Sequence, residues 1–177
     1  MSEPSNSKTG RILVVIGRLA LAAMFLFAAY AKLKPQTPEP WSVDSIKTSL
    51  SMFAMQVDSY QMLSSESADF VAHSLPFFEL ALGLWILSGI WLRISSVAST
   101  LLLGGFFAIM VRTYAKGLEI NCGCFGPGEH LGPKTLIRDG SLLALSIAVA
   151  IGAYLLARRK TNPPEPAASP IGFERAR

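Results

Sequence analysis

The chain has 177 residues, of which 51% are hydrophobic and only 16% charged, well below the quarter or so that soluble domains carry. Its net charge of +4 comes mainly from Lys and Arg flanking apolar runs. With no basic face interleaved with aromatics, that distribution excludes a nucleic-acid-binding domain and points to one small helical membrane domain.

Met1 to Gly10 is polar and reads as a disordered lead, with Lys8 and Arg11 before the first apolar run. Ile12 to Ala31 follows, interrupted only by Arg18, and its length matches the roughly 20 residues that cross a bilayer. A cleaved signal peptide would be shorter and end in a small-x-small site. Tyr30-Ala31-Lys32-Leu33-Lys34 is no such site, so an uncleaved helix is expected. Arg18 reads as a snorkelling or lipid-facing charge. Lys32 and Lys34 read as interface anchors or as residues lining the mouth near the cysteines.

Next comes a stretch too long for a turn. Val43, Ile46, Leu50, Phe53, Ala54 and Val57 recur at helical spacing, the pattern of an amphipathic helix on the bilayer surface or over the bundle mouth. Trp41 opens it and Ser42 is its expected N-cap.

Val71 to Trp91 is the second spanning run, with His73, Pro76 and Glu79 inside it. Ile94 to Tyr114 is the third and Leu136 to Ala157 the fourth. Gly83, Gly89, Gly104 and Gly105 are read as sites of close helix packing. Residues 11–157 thus form an all-α domain, a four-transmembrane-helix bundle with an amphipathic segment between its first two spans. Residues 158–177 begin with Arg158-Arg159-Lys160, continue Pro-rich and read as a disordered tail. Both termini fall on one side and the two long loops on the other. Basic residues near the helix ends divide about evenly, so the positive-inside rule does not decide the side. The acids of the first loop and the Arg158 cluster favour cytoplasmic termini and a cysteine loop outside.

That loop, Ile120-Asn121-Cys122-Gly123-Cys124-Phe125-Gly126, holds the chain's two cysteines. Gly123 permits the turn that a disulfide between residues i and i+2 requires. The small ring would be strained, and strained disulfides exchange readily. A metal site would need two further ligands, with His130 the nearby candidate. A structural disulfide would close almost no loop, and a pair of inert thiols is the remaining alternative. Glu79, in the outer half of its span, should face the bundle interior with a partner. Arg112 and Arg138, at helix ends on the cysteine side, are the expected partners, and an arginine near a thiol raises its thiolate fraction. Glu79 is either a proton carrier or a polar lock between helices.

Cys122-Gly123-Cys124-Phe125-Gly126 followed by Arg138-Asp139 resembles the DoxX-like superfamily, in particular the methylamine utilisation protein MauE family. Arg18, Ala31-Lys32-Leu33, Leu75-Pro76, Glu79-Leu80, Gly83 and Gly117 extend the resemblance over Arg11 to Ala157. It implies a multi-pass protein of the bacterial inner membrane with a periplasmic Cys-Gly-Cys loop. It further implies a thioredoxin-like partner, support for maturation of a disulfide-rich protein such as a methylamine dehydrogenase subunit, and quinone as a cofactor in keeping with its relatives. Cys122 and Cys124 would be the exchanging pair, with Glu79, Arg112 and Arg138 in support. The alternative is a non-catalytic membrane subunit or assembly factor of a larger complex.

Overall fold

In lipid, an apolar run must satisfy every backbone N–H and C=O within itself, which selects the helix. The computed structural model describes residues 5–35, 40–118, 120–122 and 129–161. Their helices are α1 (Ser5–Leu33), α2 (Val43–Ser59), α3 (Ser65–Ser88), α4 (Leu92–Ala115) and α5 (Pro133–Thr161). Of these, α1, α3, α4 and α5 are long and apolar enough to cross a membrane.

The spanning helices overrun the expected boundaries. α1 is already helical at Ser5, so the disordered lead expected through Gly10 is corrected from that residue on. Extending a formed helix adds one bond per residue fixed, so it continues past its apolar stretch. α3 starts at Ser65, with Glu66 in its first turn, where the helix dipole favours an acid. α5 starts at Pro133, a first-turn position that needs no N–H. It runs through Arg158 to Thr161. The tail expected from there to residue 177 lies, from 162 onward, outside the described residues.

α2 lies over the bundle mouth rather than alone on the bilayer. Ser42 caps it, its Oγ accepting from the Ser45 N–H at 3.1 Å while Ser45 Oγ accepts from the Ser42 N–H at 2.9 Å. Phe53 then packs with Ala72 and Leu75 of α3. The inward face is rotated from the expected one: Val43 is exposed, whereas Ser45 and Ser49 are buried with Leu50 and Phe53.

The spanning helices alternate in direction. Phe25 and Leu26 of α1 meet Gly83 of α3, while Lys32 meets Glu79. Gly17 faces Val149 and Gly152 faces Val14, so α1 and α5 are antiparallel and their outer ends share one side. Between α4 and α5, Phe107 lies against Gly140 and Thr100 Oγ1 stands 3.0 Å from the buried Ser146 Oγ. Of the glycines expected at packing contacts, Gly83 is one. Gly105 has no neighbour where a Cβ would stand and Gly104 only ordinary contact. Gly17 and Gly152 hold the tight crossing instead. A Cβ at Gly17 would stand 2.6 Å from Val149 Cγ2. Gly17→Val should therefore cost about 1–3 kcal/mol by overpacking, measured as a lowered melting temperature in detergent.

Arg18 is not lipid-facing. Its guanidinium lies against Gly89, the left-handed residue (φ +71°) that ends α3. There it meets the negative end of the helix dipole.

Candidate site at the cysteine end

Beyond Gly117, whose φ of +70° ends the turn after α4, the chain forms a short hairpin base. Cys122 N–H donates to the Glu129 carbonyl at 2.6 Å and Leu131 N–H to the Ile120 carbonyl at 2.8 Å. Cys124, with the rest of Gly123–Gly128, lies outside the described residues, and so does the expected geometry of the Cys-Gly-Cys turn. Cys122, in a loop expected outside the membrane, is only 4% exposed, in a cluster with Met110 and Leu131. The hairpin turns its side chain inward, away from its polar sequence neighbours. Its Sγ lies 3.4 Å from Met110 Sδ and 4.0 Å from Asp139 Oδ2. Tyr60, closing α2, donates its hydroxyl to the Cys122 carbonyl at 2.8 Å.

Asp139 is buried and held by its neighbour. Arg138 Nε donates to Asp139 Oδ1 at 2.9 Å and its Nη2 to Oδ2 at 3.3 Å, while Nη1 donates to Glu129 Oε1 at 2.6 Å. This network ties the hairpin to the first turns of α5. It also corrects the expected role of Arg138, which pairs with Asp139 and Glu129 and not with Glu79. Because Asp139 offers its carboxylate to both the guanidinium and the sulfur, the charge in contact with Cys122 is negative. His130 is exposed and bridged to Asn121.

Glu79 is buried as expected, but its partner is Lys32, at 2.9 and 2.8 Å to its two carboxylate oxygens. The lysine is 6% and the glutamate 4% exposed. The ammonium also stands 5.4 Å from the centre of the Phe53 ring. The expected Arg112 is exposed, while the next residue, Thr113, is buried. One residue turns a helix by about 100°, so Arg112 faces out of the bundle.

A cavity of about 210 Å³ connects these groups. Met24, Phe25, Leu103, Phe106 and Leu142 form its apolar wall, α2 covers it with Phe53, Val57 and Tyr60, and Lys32, Glu79, Cys122 and Asp139 open onto it. Cavities of this order lined by carbon accept ring-sized molecules. An ion pair, a second carboxylate and a sulfur around an apolar space allow proton exchange beside a thiol, shielded from water. Asp139 and Lys32 are the residues sequence reasoning undervalued. An acid inside a spanning helix is costly enough to mark a site, which would have singled out Asp139 alongside Glu79. A lysine in the last turn of an apolar helix looks like any anchor.

The family model for methylamine utilisation protein MauE matches residues 10–155, and the chain belongs to that family. No curated protein matches the sequence. No solved structure matches it either.

Proposed function

We propose that this MauE-family membrane protein is a thiol–disulfide exchange protein whose Cys122 and Cys124 pass electrons between a periplasmic thioredoxin-like partner and the membrane. The observation that carries this reading is that Cys122 faces the same cavity as Asp139 and the Lys32–Glu79 pair. Cys122 is then the inward sulfur of the couple, and Cys124, two residues on, is the one a partner protein reaches. The partner's thiolate attacks Cys124, the bond between Cys124 and Cys122 breaks, and Cys122 leaves with the electron pair and takes up a proton. The carboxylate of Asp139, 4.0 Å away, is placed to accept that proton again when the thiol is reoxidised. The partner's second thiol then resolves the mixed disulfide and leaves this chain with two thiols.

A quinone fits the cavity's apolar wall and single buried ammonium, and when bound it supplies a sink for the two electrons and two protons that two thiols release. Lys32 would hold its polar edge, while the phenylalanines and leucines of the wall would hold its ring and exclude water. Support for maturation of a disulfide-rich protein, such as a methylamine dehydrogenase subunit, is the process this reading serves. The orientation that goes with it is the bacterial inner membrane, with cytoplasmic termini and a periplasmic cysteine loop.

Cys122→Ser and Cys124→Ser should each abolish function in a complementation assay. Each variant removes the bond that the partner's thiolate attacks, so the mixed disulfide with the partner, present in the wild type, should be absent from both. A membrane-impermeant maleimide applied to intact cells should label the chain only after reduction. Full complementation by both serine variants would remove the exchange reading. The burial of Cys122 among Met110, Leu131 and Tyr60 favours a second reading, a non-catalytic subunit or assembly factor. That reading requires complementation by both variants together with stable co-purification of the partner.

A further inference from the structure

The two ends of the bundle differ in charge. Every described carboxylate lies on α2, on α3 no farther along than Glu79, on the hairpin, or in the first two turns of α5. The opposite end, where α1 begins and α5 finishes, presents Arg11 and Arg93, both exposed and in no salt bridge among the described residues. These two line one groove of about 750 Å³ between the start of α1, the start of α4 and the end of α5. Ile94, Ala153 and Leu156 give it an apolar floor, and Trp91 stands at its rim, 71% exposed. Trp91 is held out by its left-handed backbone (φ +49°), which begins α4 directly after the turn at Gly89. The Arg93 guanidinium lies 5.6 Å from the centre of the Tyr154 ring, and Arg158 lies 4.8 Å from the same ring.

Arg11 and Arg93, with no carboxylate paired to them among the described residues, repel one another, and the arrangement is stable when an anion joins them. A tryptophan and a tyrosine beside them mark the level of the lipid headgroups. The groove therefore combines an apolar floor, a headgroup-level aromatic rim and two guanidiniums suited to phosphate oxygens. We propose that this groove binds the phosphate of an anionic phospholipid, with the acyl chain along Ile94 and Leu156. A zwitterionic lipid brings its own cation toward Arg11 and Arg93 and is disfavoured.

Native mass spectrometry of the full chain, released from micelles doped with equal phosphatidylglycerol and phosphatidylcholine, tests this. The wild-type chain should retain phosphatidylglycerol preferentially. Arg11→Gln with Arg93→Gln should lower that retention roughly thirtyfold, at about 1 kcal/mol for each cation. Phosphatidylcholine retention should not change. Lys47→Gln, an exposed cation at the other end, should have no effect. Equal retention of the two lipids by the wild-type chain overturns the proposal without recourse to any variant. So does an equal loss with Lys47→Gln, which would indicate net charge alone. Displacement of the lipid by inorganic phosphate at matched ionic strength overturns the lipid as occupant and makes the groove a site for a soluble anion.

Discussion

Lys32→Ala should cost the bundle about 3–5 kcal/mol, and Glu79→Ala about the same, because each leaves a buried charge without its partner. Thermal unfolding of the purified chain in one fixed detergent measures both. The pair sits at 2.8 Å with each side chain at most 5% exposed. Neither water nor salt can take over from the missing group, as happens at surface pairs worth 0–1 kcal/mol. Lys32→Leu combined with Glu79→Leu should recover most of the loss, since replacing both charges by apolar groups of similar volume is often neutral. Single variants that cost less than about 1 kcal/mol would mean that the pair is solvated. The double variant also separates the two roles left open for Glu79. If stability and complementation both return, the pair is a lock between α1 and α3. If stability returns and complementation does not, the cavity needs its charges.

The four spans were legible because a bilayer demands about 20 apolar residues per helix, a signal few other constraints imitate. Their ends were less so, since helix propagation does not stop where lipid does. α2 shows a subtler limit. Leu50 and Phe53 announce its buried face, but Ser45 and Ser49 share that face, and Val43 does not. Ser49 Oγ donates to the Lys34 carbonyl at 2.9 Å and to the Ser45 carbonyl at 3.1 Å. Small hydroxyls that bond nearby carbonyls can thus be buried where a hydropathy pattern expects aliphatic side chains.

At the site, burial of Glu79 followed from the cost of a carboxylate in lipid. Its partner did not follow, because pairing depends on how α1 is rotated against α3, and Lys32 is 47 positions away. On α4, the turn of about 100° per residue separates exposed Arg112 from buried Thr113. Cys122 was misjudged for a related reason. Its sequence neighbours are polar or glycine, but the hairpin bonds from Cys122 to Glu129 and from Leu131 to Ile120 point its side chain into the apolar cluster. Polarity along the chain is a guide to a loop's backbone and not to each of its side chains.

Asp139→Asn should make Cys122 react about tenfold faster with a small membrane-permeant maleimide at neutral pH, and the gain should vanish as pH rises. Cys124→Ser provides the background, so that one sulfur reports. Only the thiolate reacts, and a carboxylate 4.0 Å from Sγ opposes negative charge there. Two unit charges at that distance repel by about 4 kcal/mol at an effective dielectric of 20. Arg138, bonded to the same carboxylate at 2.9 Å, cancels most of this, and a residue of about 1.4 kcal/mol corresponds to the tenfold change. At high pH the sulfur is ionised in both proteins, which is why the two rates converge. Arg138→Gln should act in the opposite direction, slowing capture at neutral pH, because it removes the compensating charge and leaves the carboxylate beside the sulfur. Among the described residues, the other ionisable groups are Tyr60, Lys32 and Glu79 on the cavity and Glu129 on Arg138; all are unchanged in either variant, so the pair of opposite shifts isolates Asp139 and Arg138. A merely loosened cluster would admit the reagent faster at every pH, and parallel profiles would therefore assign Asp139 to holding the hairpin against α5 and deny it a part in the protonation of Cys122.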